Sequence, residues 1–223
     1  MTVVSIKSET KGEASNEGAL RIELSDGSFF SFRACYLPPV FIDKSLFDMS
    51  AACGREINTS EEEALRFASA CLRAEKTALQ LIARAEQNVF GLSRKLEKRG
   101  HNPAYIHSVI ARLCELGILD DSRYARLWLE SHICRQATSP RRLLTALRSR
   151  GIDRRSAETA LKEALDDEAE QRLLERYVQK MRRKRTNSGG DDSADDDHSL
   201  RYTLKNEGFS SVAIQSFLAD RTS

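Results

Sequence analysis

The chain has 223 residues, of which 30% are charged and 7% aromatic, with a formal net charge of +2. That length can bury a sizeable core or several small ones. It contains no run of eighteen apolar residues and no apolar leader at its start, so neither a membrane span nor a secretory signal is expected. Five scattered cysteines, Cys35, Cys53, Cys71, Cys114 and Cys134, form no CxxC pair. That excludes a disulfide framework or zinc ribbon and predicts a cytoplasmic protein.

Residues 1–58 read as a small β element. Leu20, Ile22 and Leu24, then Phe30 and Phe32, alternate with polar residues around Asp26-Gly27, which predicts a hairpin turning at that pair. Val3, Val4 and Ile6 add a strand, and residues 9–17 form a polar loop. Pro38-Pro39 breaks regular structure, and Ile42 to Met49 forms a short helix. Ser60-Glu61-Glu62-Glu63 then opens a long helix as a capping box. Its helical period, Leu65, Ala68, Leu72, Leu79 and Ile82, runs to about Gln87.

From there one pattern occurs three times: a cap-former, Leu four later, Leu four later, Gly four later, and a second cap-former two beyond. The copies are Asn88-Leu92-Leu96-Gly100-Asn102, Ser139-Leu143-Leu147-Gly151-Asp153 and Asp196-Leu200-Leu204-Gly208-Ser210. Ile106, Ala157 and Ile214 align beyond them, as do Ile110, Leu161 and Leu218. Asn, Ser and Asp accept hydrogen bonds from the unpaired amides of a helix start. Paired Leu residues mark one helix face, and Gly stops the helix in the left-handed conformation. Pro103 and Pro140 occupy first helical positions, where no amide proton is needed.

Each copy is therefore helix, glycine turn, helix, preceded by a further helix. The preceding helix of unit two opens at Asp120-Asp121 with Tyr124, Ala125, Trp128, Leu129 and Ile133 inward. That of unit three spans Glu168 to Arg185, with Leu173, Leu174, Tyr177, Val178 and Met181 inward; Tyr177 and Tyr202 are expected in the core. The predicted fold is mainly α, a tandem array of three-helix units after an N-terminal β-hairpin element. The expected boundaries are 1–58, 60–118, 119–166 and 167–223. A Gly/Ser/Asp stretch, the acidic loop 186–197, interrupts the third unit.

No catalytic constellation is present. The four histidines have no ligand spacing and no GxxxxGK[ST] loop exists, so no enzyme activity, cofactor or metal is expected. The charge is segregated: residues 92–158 carry fourteen Lys/Arg against seven Asp/Glu. Arg94, Lys95, Lys98 and Arg99 flank the first motif, and Arg141, Arg142, Arg148 and Arg150 the second. Such charges either solvate the outer face of an amphipathic helix or meet phosphates and acidic protein surfaces. At Arg141 and Arg142, glutamates are expected to leave the fold intact, since helix starts accept acids. Core packing is the simpler role for Trp128, with base stacking as its alternative. The basic run Lys180 to Arg185 precedes Asp191, Asp192, Asp195, Asp196 and Asp197, a solvated linker or a screen for that run.

The run Leu116-Gly117-Ile118-Leu119-Asp120-Asp121-Ser122-Arg123-Tyr124-Ala125 resembles the junction between units one and two of the RecX regulatory proteins of bacteria. Ser139-Pro140-Arg141-Arg142-Leu143, with Leu147, Gly151, Ile152 and Asp153, resembles the same family. The likeness covers roughly residues 60–220. It departs at Gly91, where the family usually has an acid, and at Ala137-Thr138, where Gly is common. The resemblance implies a monomeric protein that binds the RecA–DNA filament and inhibits its ATPase and strand exchange, with non-specific DNA phosphate contacts. The alternative is a helix-turn-helix protein that reads DNA directly. Its second helix, Pro103 to Leu116, carries one arginine, Arg112, and is otherwise poor in base-reading groups.

Overall fold

Alternating apolar residues at the start of the chain build a three-stranded antiparallel sheet of order β1-β2-β3, with β1 Val3–Ser8, β2 Ala19–Leu24 and β3 Phe29–Arg33. The computed structural model describes residues 2–8, 18–39, 53–187 and 197–220, with side chains to 184 in the longest stretch. The expected loop 9–17, the short helix at Ile42 to Met49, the Asp196 cap and nearly all of the acidic loop lie outside the described residues. Register pairs Ile6 with Ile22 and Ile22 with Phe30. The hairpin turns where expected: Gly27 has φ +81°, and Ser28 donates its amide to Asp26 at 3.0 Å.

Nine α-helices follow among the described residues. They are α1 Thr59–Ile82, α2 Val89–Glu97, α3 Pro103–Glu115, α4 Asp121–Arg135, α5 Pro140–Ser149, α6 Arg154–Ala164, α7 Asp167–Asn187, α8 Asp197–Asn206 and α9 Ser211–Asp220. The chain divides into two compact units, residues 1–87 with 92–119, and residues 88–91 with 120–223.

In the first unit α1 packs against β3 and α3. The capping box starts earlier than Ser60: Asn58 accepts from the Glu61 amide at 2.9 Å, and Glu61 accepts from the Asn58 amide at 3.0 Å. Glu61 is the reciprocal partner, so the cap belongs three residues before it. α1 ends at Ile82 and not at Gln87, whose buried side chain donates to the Ala85 carbonyl at 2.9 Å beyond the helix end. Glu75, buried on α1, pairs with Arg33 at 2.9 Å and faces Arg112 at 3.9 Å. A buried carboxylate without such partners is strongly destabilising.

The second unit has one continuous core drawn from both of its repeats. Ala125, Leu129, Leu143, Leu147, Leu173, Leu174, Leu200 and Leu204 are buried in it. Fully burying each leucine contributes roughly 1.5–3 kcal/mol. Tyr177 joins this core, but Tyr202 is 65% exposed, contrary to expectation. It lies two residues past Leu200 on a helix, about 200° round from the buried face.

The glycine turns repeat in detail. Gly100, Gly151 and Gly208 have φ of +81°, +86° and +89°. Each is followed by an amide that bonds the carbonyl of the second motif leucine: His101 to Leu96, Ile152 to Leu147, Phe209 to Leu204, all at 3.2 Å. This is the six-residue closure of a helix end. Gly117 makes the same closure after α3, through Ile118 to Leu113 at 3.0 Å.

Two of these turns also receive a helix start from the repeat before. The first turn of α2 meets the end of α5, where Asn88 Nδ2 donates to the Arg150 carbonyl at 2.5 Å. Phe90 lies so close to Gly151 that a Cβ there would overlap its side chain. The start of α5 meets the end of α8 in the same way. Arg141 donates its amide to the Glu207 carbonyl at 3.0 Å, and its backbone nitrogen lies 3.3 Å from where a Gly208 Cβ would stand. Phe90 and Arg141 occupy the same repeat position, two residues before the first leucine.

At Gly100 a Cβ would meet nothing within 4 Å. Gly100→Ala should therefore cost only the left-handed strain, about 1–2 kcal/mol. Gly151→Ala should cost more, by roughly a further 1–3 kcal/mol of overpacking against Phe90. Thermal and urea unfolding of the two variants measure this difference directly, and equal losses would contradict the docking geometry.

Candidate functional site

The eight basic residues singled out in the sequence divide evenly between the two units. Arg94, Lys95, Lys98 and Arg99 lie exposed on the last two turns of α2 and just past it, in the first unit. Their position follows from Leu92 and Leu96, which are fully buried and turn the remaining faces outward. Lys95 donates to Gln87 Oε1 at 2.6 Å, and Arg99 to the Lys95 carbonyl at 3.2 Å. Arg99 thus covers a carbonyl near the helix end, where cations are favoured.

In the second unit the other four are not equivalent. Arg148 is exposed on α5. Arg150 is half-buried: its guanidinium lies 4.5 Å from the Trp128 ring centre, and Nη1 donates to the Ala146 carbonyl at 2.8 Å. Its charge is bound into a cation–π contact. Trp128 itself packs against the core and stacks on His132 at 4.5 Å. Its packing role accounts for it, and the arginine and imidazole occupy the ring faces that a base would need.

Arg141 and Arg142 stand at the α5 start beside Glu207. Arg142 Nε is 3.8 Å from the Glu207 carboxylate, and Arg141 Nη1 donates to the Asn206 carbonyl at 3.4 Å. Ser139, expected as a helix cap, makes no side-chain cap bond. Fully buried, it donates its hydroxyl to the Glu207 carboxylate instead. The amide that a cap would satisfy is that of Arg141, and the Glu207 carbonyl takes it. A glutamate at 142 would therefore face Glu207, a like charge that the sequence does not reveal.

The other caps act as expected. Asn88 accepts from the Gly91 amide at 3.2 Å, Asn102 from Ala104 at 2.9 Å, Asp153 from Ser156 at 3.0 Å, and Ser210 from Ala213 at 3.1 Å. Gly91 also has a local reason. A Cβ there would stand 2.5 Å from Asn88 Oδ1, so the residue leaves room for the cap that also reaches Arg150. The second helix of the first motif, α3, has its arginine turned to Glu75 in the unit interior. That leaves no arginine or lysine on it for base edges. Glu207 and Gln87 escape a sequence reading because each acts across a turn or at long range, with no local pattern to mark it.

Among the described residues no group of three His, Cys, Asp or Glu side chains could hold a metal ion. No described helix is long and apolar enough to cross a membrane. What the geometry offers is a set of exposed cations fixed on short, well-capped helices.

The comparisons agree with this architecture. A family model for the second three-helix domain of RecX matches residues 120–161, which span α4, α5 and most of α6. The regulatory protein RecX of Treponema pallidum (strain Nichols) is 33% identical over 159 residues, covering 71% of this chain and 92% of that protein. The regulatory protein RecX of Halorhodospira halophila is 39% identical over 90 residues, 40% of this chain and 53% of its own length. Among solved structures, a crystal structure of regulatory protein RecX superposes with TM-score 0.68 at 18% identity, covering 96% of this chain and 97% of that one. RecX from Lactobacillus salivarius gives 0.53 at 20% identity over 68% and 96%. The chain belongs to the RecX family of regulatory proteins.

Proposed function

We propose that this chain is a non-enzymatic regulator that binds the RecA–DNA filament and restrains its ATPase and strand exchange in DNA repair and recombination. Membership of the RecX regulatory family carries the reading. The arrangement of charge supports it. Exposed cations recur on the second helix of successive repeats but shift position from one to the next. Arg94, Lys95, Lys98 and Arg99 align with Thr145, Ala146, Ser149 and Arg150. Positive charge spread in this way suits diffuse attachment to a highly charged polyanion, where total charge outweighs exact geometry. Direct reading of base sequence by α3 is disfavoured, because its arginine is engaged with Glu75.

Two measurements check the reading. Adding the protein to preformed RecA filaments should lower single-strand-DNA-dependent ATP turnover, at or below one copy per recombinase; unchanged turnover at excess folded protein refutes it. Lys98 and Arg148 are exposed, and neither takes part in the junctions described. The variants Lys98→Glu and Arg148→Glu should keep the wild-type melting temperature and weaken filament binding several-fold. They should also flatten its salt dependence, by about 0.7–0.9 in the log–log slope for each phosphate no longer neutralised. Arg142→Glu should instead lower the melting temperature, because it opposes Glu207. A salt titration of filament binding and a thermal melt separate the two classes.

A further inference from the structure

Away from the helix starts, the second unit carries a cleft of about 500 Å³ between the C-terminal end of α4 and the C-terminal half of α7. Five cations line it, Arg135, Arg176, Lys180, Arg183 and Lys184, and no carboxylate does among the described residues. Two of them build its floor. Arg176 donates to the carbonyls of Ile133 at 2.8 Å and Cys134 at 3.2 Å, and Lys180 to that of Ala137 at 3.0 Å. They satisfy carbonyls at the end of α4, which has no following turn to do so.

Arg135, Arg183 and Lys184 are exposed around that floor. The positive field extends along α4. After burial, Arg150 and Lys180 hold His132 below the usual histidine range, and His132 stacks on Trp128. The end of α4 attracts cations through its dipole. Packed against it, α7 adds its own, and the like charges crowd around one concavity, where a bound anion relieves their repulsion.

We propose that this cleft is a groove for the backbone of a single-stranded nucleic acid, with phosphates seated on Arg135 and Lys184. A duplex is read by an element that projects into its groove. A single strand instead lies along a concave, positively charged track, and here the cations surround a concavity. The assignment deepens the function proposed above and rests on it for the nature of the ligand.

The test uses the full chain without recombinase. Trp128 is the only tryptophan, so its emission, beside His132, reports on the stretch of α4 that leads to the groove. A fluorescein-labelled oligothymidylate should bind at low salt by anisotropy, change Trp128 emission, and lose affinity linearly in log–log salt. Arg135→Gln with Lys184→Gln should weaken binding at least tenfold and lower the slope by about 1.4, about 0.7 for each phosphate of a single strand. Melting should be unchanged, since glutamine keeps a good helix propensity and neither residue closes α4. Absence of saturable binding, wild-type affinity in the double variant, or tighter binding of a duplex of equal length overturns the groove. So does polyglutamate binding that the oligonucleotide fails to displace. Oligonucleotide binding by a chain that leaves RecA turnover unchanged upholds the groove and overturns the regulatory reading; RecA inhibition without such binding does the reverse.

Discussion

The architecture depends on a helix start seated on a glycine turn one repeat further on. The need behind it is elementary: a helix start leaves amides unpaired and a helix end leaves carbonyls unpaired. At Arg150 and at Glu207 the two deficits meet. Asn88 reaches the carbonyl of Arg150, and the Arg141 amide reaches that of Glu207. Oppositely signed ends of two helix dipoles come together in each case. Glycine suits these turns twice over, once for its left-handed backbone and once because Phe90 fills the space of a side chain at 151 and the Arg141 backbone crowds it at 208.

That arrangement decides which cations are available. Arg142 and Arg150 sit at the ends of α5, Arg176 and Lys180 reach from within α7 to the end of α4, and all four are turned to Glu207, Trp128 or backbone carbonyls. Their charge is spent on joining elements. The side chains of Lys98 and Arg148 are exposed to solvent instead. A count of basic residues along the sequence treats both kinds alike, and only the geometry separates fastening from display.

The repeat was legible because its parts are local. A cap, two leucines four apart and a glycine lie within thirteen residues, and each answers a requirement of a single helix. Leu92, Leu96, Leu143, Leu147, Leu200 and Leu204 are buried as that pattern implies. The hairpin at Asp26-Gly27 was legible for the same reason. What escaped is long-range. Ser139 looks like a helix cap, but its partner Glu207 lies 68 residues away. Tyr202 looks like core because it is aromatic, although its helical phase faces outward. Asn58 was hidden behind the richer acidic signal of Glu61 to Glu63. The basic cleft joins Arg135 to Lys184 across two helices, and no periodicity links them. The exposed cations themselves were visible in the sequence, yet their exposure alone does not distinguish a contact surface from a solvated one.

The junction also has a direction in time. The start of α2 is seated on a turn about sixty residues nearer the C-terminus, and the start of α5 on one further still. A ribosome delivers the earlier partner first. When Asn88 and Phe90 emerge, the turn that holds them has not been made, so the head of α2 waits as an open end until Gly151 is released. Synthesis therefore leaves the first two repeats incomplete until the next one arrives, and the Gly151 and Gly208 turns each close a helix made before them.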